Sequence, residues 1–145
     1  MLMDSAVKNL DELVDLDDAF LTNCQYLDIA DDNVIVQNSE NSIKIAHLNV
    51  HSLLSKYDDL IDLMEILKQK NLMPDVLLLC ETFLNDRNHN KIKFPNYSMI
   101  SQHRKIRSQG GVAVLIGDHI KYQEREDLGI YDEGKFESIF VEKPR

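Results

Sequence analysis

The chain has 145 residues, 25 Asp or Glu against 16 Lys or Arg, and a formal charge of -9. That length gives room for about one domain with a core of useful size. Two cysteines, Cys24 and Cys80, exclude a disulfide framework and favour a reducing compartment, and no stretch approaches the ~20 apolar residues of a membrane span. The start, MLMDSAVKNLDELVDLDD, is acidic where a signal peptide needs positive charge. The expectation is a protein of the cell interior, nuclear or cytoplasmic, with no membrane partner.

The acidity is local. Residues 1–40 hold ten acids and one base (Lys8), which leaves fifteen of each sign in 41–145. Ala6, Leu10, Leu13, Val14 and Leu21 fall at roughly helical spacing, so residues 5–21 read as a short amphipathic helix. Residues 22–41 carry one apolar patch, Val34-Ile35-Val36, among turn-forming residues. The expected division is an acidic N-terminal segment, 1–41, and a folded domain over 42–145.

From Ser42, SIKIAHLNV alternates with period two: Ile43, Ile45, His47 and Asn49 on one face, Lys44, Ala46, Leu48 and Val50 on the other. This predicts a strand. Ser55 stands as a candidate N-cap before Asp58 and Asp59, where a helix dipole favours acids. Tyr57, Leu60, Ile61, Met64 and Leu67 then keep helical spacing, Lys68 and Lys70 close the C-terminal end, and Asn71 and Pro74 stop it. Val76 to Cys80 is a continuous apolar run, as in a strand buried on both faces. Strand, helix and strand over about forty residues make a βαβ unit with parallel strands. Tyr97–Ile100, Val112–Ile116 and Ser138–Val141 read as three more short strands between turn signals.

If the first two strands are neighbours, Asn49 and Glu81 emerge on one edge of the sheet. In open α/β sheets ligands bind beyond the carboxyl ends of the strands. An amide and a carboxylate converging there suit a hard cation or a phosphate, and Mg²⁺ commonly takes one or two protein carboxylates and keeps waters for the rest. The bland alternative is that Glu81 is merely the first exposed residue after a buried strand. Gly117-Asp118-His119 reads as a turn, since it directly follows a strand. His47 shares the Ile43/Ile45 face and reads as a packed core or rim residue; His51 borders the site with no paired base in view. From Arg87 to Arg107 there are six bases (Arg87, Lys91, Lys93, Arg104, Lys105, Arg107) and no acids, a composition that suits phosphate contacts or, as readily, a solvated loop.

Five blocks, HLNVHSL, PDVLLLCETFL, FPNYSMI, QGGVAVLI and FESIFVE, stand in that order between Ile43 and Glu142, with CQYLD upstream at Cys24–Asp28. Together they resemble the N-terminal half of an endonuclease/exonuclease/phosphatase domain, and most closely the endonucleases of non-LTR (LINE-type) retrotransposons, which accompany a reverse transcriptase. The resemblance implies the first half of a four-layer α/β sandwich and a metal-dependent phosphodiesterase that nicks DNA, with Mg²⁺ (or Mn²⁺) as cofactor. It matches Asn49 to an Asn that positions the scissile phosphate, and Glu81 to the metal-binding Glu of an E-T motif. Arg104, Lys105 and Arg107 become candidate DNA contacts. Phe83 stands where relatives usually have Trp, and Gln109-Gly110-Gly111 keeps two of three usual glycines. Relatives draw the general base from later motifs, an Asp-x-Asn strand ending and an Asp-His pair. The expectation is therefore half an active site, inactive alone or completed by another half-domain. The alternative is a non-catalytic interaction module built on the same domain, its acidic N-terminus and unpaired sheet contacting a partner protein. A third reading, a phosphatase of the same superfamily, shares Asn49 and Glu81 and is less favoured by the E-T-F-L and G-G-V blocks.

Overall fold

The computed structural model describes residues 42–106, 109–132 and 134–144. The acidic segment with its expected helix, Cys24, the Val34–Val36 patch and Arg107 lie outside the described residues.

The period-two segment forms β1 (Ile45–Asn49), and the amphipathic run forms α1 (Tyr57–Gln69). Ser55 does not cap the helix. Its Oγ donates to the Ser52 carbonyl instead, and Lys56 occupies the N-cap without a side-chain bond. The C-terminus is a Schellman motif: Asn71 takes a left-handed φ of 57°, its N–H donates to Lys68 O, and Leu72 N–H donates to Leu67 O. Asn tolerates that conformation better than most residues.

β2 (Val76–Cys80), β3 (Tyr97–Gln102) and β4 (Val112–Gly117) complete a four-stranded sheet of order β1-β2-β4-β3. β1 and β2 are parallel, as the βαβ reading requires, and β4 runs antiparallel to both β2 and β3. The carboxyl ends of β1, β2 and β3 therefore share one edge with the start of β4. The architecture is mixed α/β with a multi-stranded sheet, in keeping with part of an α/β sandwich.

One sheet face is packed. Leu77 and Leu79 of β2, Ala113 and Leu115 of β4, and Leu60 and Met64 of α1 join Leu53, Leu84 and Phe94 in a continuous buried cluster, with Ala46, Leu48 and Met99 against it. Burying a Leu side chain contributes about 1.5–3 kcal/mol, so this face dominates stability. The other face is uneven: Val114 and Ile116 are buried, but Val76, Leu78 and Cys80 are only half-buried and Ile45 is 64% exposed. Two expectations change accordingly. β2 is closed fully on one face rather than both, and His47, on the same face as Ile45, is exposed rather than packed.

Beyond β4 the chain forms two small ribbons, β5 (Gln123–Glu124) with β8 (Val141–Glu142) and β6 (Tyr131–Asp132) with β7 (Phe136–Glu137). The strand expected over Ser138–Val141 is broken at 138–140. There the Ser138 hydroxyl bonds both the N–H and the carbonyl of Ile130, taking the place of a ladder pair. No helix among the described residues is long and apolar enough to cross a membrane.

Candidate active site

The register sets Asn49 opposite Cys80, so the residue after β2, Glu81, leaves the sheet beside the end of β1. The pairing continues past the strands: Val50 N–H donates to Cys80 O, Ser52 N–H to Glu81 O, and Leu53 N–H to Thr82 O. Thr82 and Phe83 N–H groups in turn donate to Gly111 and Gly110 carbonyls. Backbone bonds thus tie the loops after β1 and β2 to the loop before β4.

Within this ladder four non-glycine residues have positive φ: His51 (41°), Ser52 (89°), Glu81 (54°) and Phe83 (53°). Each such conformation costs of order 1–3 kcal/mol and persists only where the surroundings over-determine it, a condition that concentrates at functional sites. The cost turns side chains outward. Glu81 and His51 are 43% and 78% exposed, whereas Thr82 between Glu81 and Phe83 is buried.

The side chains converge. His51 Nδ1 lies 2.9 Å from Glu81 Oε2, and His51 N–H donates to Asn49 Oδ1 at 3.2 Å. The His51 ring meets Phe83 edge-on at 5.1 Å. The hydrogen bond from His51, then that from Asn49, holds the Glu81 carboxyl below its ordinary value of 4.5, so Glu81 is an anion at neutral pH. His51, weak on sequence grounds, is the side chain nearest to chemistry. The missed signal was its place two residues beyond a strand end, in a turn whose left-handed φ His tolerates better than most.

The glycines have specific work here. A Cβ on Gly111 (φ +84°) would come within 2.7 Å of Thr82 Oγ1, and one on Gly110 (φ +94°) would strike the Arg104 guanidinium. Arg104 pairs with Glu137, whose other oxygen accepts from Gly111 N–H at 2.9 Å. Glu137 is nearly buried, at 8% side-chain exposure, and this contact fastens β7 to the site's edge.

Among the candidate DNA contacts, Arg104 and Lys105 follow β3 at this edge, Arg104 engaged by Glu137 and Lys105 exposed. Arg87, Lys91 and Lys93 are exposed on the loop between β2 and β3. The same loop supplies Asp86, which pairs with His103 at 2.8 Å, and His89, whose ring lies 4.6 Å from that of His103. Gly117-Asp118-His119 is a turn at the opposite edge, one strand length (roughly 16 Å) from Glu81. Asp118 accepts from Ser98 there, and His119 pairs with Asp75.

Glu81 fits a divalent cation of the kind that takes one protein carboxylate and keeps several waters: it is anionic, half-open to solvent and fixed by neighbours. It does not make a closed cage, and among the described residues no group of three or more His, Cys, Asp or Glu could hold a metal ion.

No protein-family model matches the chain, and no curated protein matches it. Among solved structures it is similar to the AP endonuclease LMAP from Leishmania major (23% identity, TM-score 0.43, covering 53% of this chain and 24% of that one). It is also similar to an AP endonuclease from Archaeoglobus fulgidus (28%, TM-score 0.36, 52% and 27%). A third is the 3'-5' exonuclease NExo from Neisseria meningitidis (24%, TM-score 0.37, 51% and 27%). The chain spans about a quarter of the length of each.

Proposed function

We propose that the chain carries part of the active site of a metal-dependent phosphodiesterase of the endonuclease/exonuclease/phosphatase type, acting on DNA, with the endonucleases of non-LTR retrotransposons as its nearest kin. The observation that carries this reading is the convergence at the carboxyl edge of Asn49, the last residue of β1, and Glu81, the first after β2, where the loops that follow hold positive-φ residues within a shared backbone ladder. The order of the five sequence blocks supports the choice of family.

In this reading Glu81 holds the Mg²⁺ or Mn²⁺ and Asn49 orients a phosphate beside it. The cation, when bound, supplies charge for the phosphate and the leaving oxygen. The chain's own residues bind and orient: Asn49 is fixed by His51 N–H, Glu81 is kept ionised, and Lys105 stands at the same edge. Asn49 and Glu81, the two positions that the resemblance assigns, include no general base, so the expected behaviour is metal-dependent DNA binding without strand cleavage.

Oligonucleotide binding and plasmid nicking, each with and without Mg²⁺, test this. Binding that Mg²⁺ strengthens in the wild type and leaves unchanged in Glu81→Gln is expected; absence of any Mg²⁺ effect would remove the reading. Nicking that disappears in Glu81→Gln would show that the chain is catalytic as it stands.

A second reading, a non-catalytic interaction module, is favoured by the half-open sheet face at Ile45, Val76 and Leu78. It predicts partner binding indifferent to Glu81→Gln.

A further inference from the structure

In the phosphodiesterase reading His51 only braces Asn49 and Glu81, yet its ring nitrogen is a donor in its own right and lies against the Glu81 carboxylate. Its Nδ1 faces Glu81 Oε2 at 2.9 Å, its main-chain N–H anchors Asn49 Oδ1 at 3.2 Å, and Phe83 backs the ring. The ring is 78% exposed, so its nitrogen reaches ligands without opening the core. Its turn is held by the bonds from Val50, Ser52 and Leu53 N–H to the β2 loop.

We propose that His51 Nδ1 and the Glu81 carboxylate form a mixed nitrogen–oxygen site that prefers a later first-row dication (Co²⁺, Ni²⁺ or Zn²⁺) to Mg²⁺, with Asn49 as the positioning residue. The inference rests on Glu81 being the metal-holding carboxylate. Two donors that each stand about 2.1 Å from a shared cation are roughly 3 Å apart at the right angle of an octahedral shell and about 3.4 Å apart in a tetrahedral one, so the 2.9 Å between Nδ1 and Oε2 suits an octahedral cation as it stands and a tetrahedral one after a shift of about half an ångström. Imidazole nitrogen suits Co²⁺, Ni²⁺ and Zn²⁺, whereas Mg²⁺ is served by oxygen alone. Asn49 Oδ1 accepts the His51 N–H, and the β1–β2 register sets Asn49 opposite Cys80, the residue before Glu81, so Asn49 positions the ring beside the carboxylate. Water or phosphate oxygens complete the shell.

The test titrates Co²⁺ and Mg²⁺ separately into the full chain, followed by calorimetry and, for Co²⁺, by its visible absorption. Glu81→Gln measures the background from the ten acids of residues 1–40. The preference for Co²⁺ over Mg²⁺ is expected to fall about 10-fold or more in His51→Ala, the scale of losing a metal-site partner. His51→Gln, which keeps an oxygen but no ring nitrogen, is expected to retain Mg²⁺ and lose the preference, and thermal melts of each variant confirm that it is folded. An unchanged preference in folded His51→Ala would overturn the inference while leaving Glu81 as a metal ligand. Absence of cation binding above the Glu81→Gln background would overturn both. Loss of preference in a chain that ignores DNA would keep this inference and remove the phosphodiesterase reading.

Discussion

The two edges of the sheet each hold a histidine–carboxylate pair at 2.9 Å, His51 with Glu81 and His119 with Asp75, and they serve different ends. Asp75 is 19% exposed, and its second oxygen accepts the Lys44 N–H at 2.7 Å, so it closes the start of β2 onto the start of β1. Neither Asp75 nor His119 has a positive φ. Glu81 is more than twice as exposed, sits at a positive φ, and braces no strand with its carboxylate. A carboxylate spent on backbone is structure; one held outward at conformational cost is available to a ligand.

Substitutions sharpen this contrast in order of size. Leu79→Ala removes a β2 side chain only 2% exposed from the shared core, and is expected to cost about 2–5 kcal/mol. Chemical denaturation should show both edges lost in one transition; separate transitions would break the picture of one sheet carrying both. Asp75→Ala leaves the Lys44 N–H without its partner and is expected to cost about 1–3 kcal/mol. Glu81→Gln, measured in the same melts, should leave the transition essentially where it is, as for surface positions. Equal costs would erase the distinction. Thr82→Val carries the opposite sign. The Thr82 hydroxyl is buried and has no hydrogen-bond partner among the described residues, so its replacement by a methyl is expected to be neutral or to stabilise by about 1 kcal/mol.

The pH dependence carries a definite sign. Glu81 is held below its ordinary value of 4.5, chiefly by His51 and then by Asn49. Whatever stability that adds is fully present above the ordinary value and is lost as pH falls through the lowered one. A carboxyl-carbon NMR titration should give a Glu81 midpoint below 4.5 in the wild type and closer to it in His51→Ala.

Much of the edge was legible in the sequence. The period-two run at Ile43–Val50, the helical spacing from Tyr57 to Leu67 and the apolar run at Val76–Cys80 encode hydrophobic faces, and faces decide strand, helix and parallel pairing. Asn49 and Glu81 followed from where those runs stop. What escaped lay outside periodicity. His51 meets Glu81 because two loops turn left-handed, and Arg104 meets Glu137 across 33 residues of chain. Ser55 was misassigned because a hydroxyl at the right offset had a nearer carbonyl, that of Ser52. His47 was misassigned because alternation shows that two faces differ, not which of them α1 covers.

The most direct test compares the edges in one experiment: calorimetric titration of Mg²⁺ into the wild type, Glu81→Gln and Asp75→Asn. Saturable binding that Glu81→Gln abolishes and Asp75→Asn leaves intact is the predicted result. Binding that survives Glu81→Gln, or falls equally in both variants, would contradict the assignment of the site to the carboxyl edge.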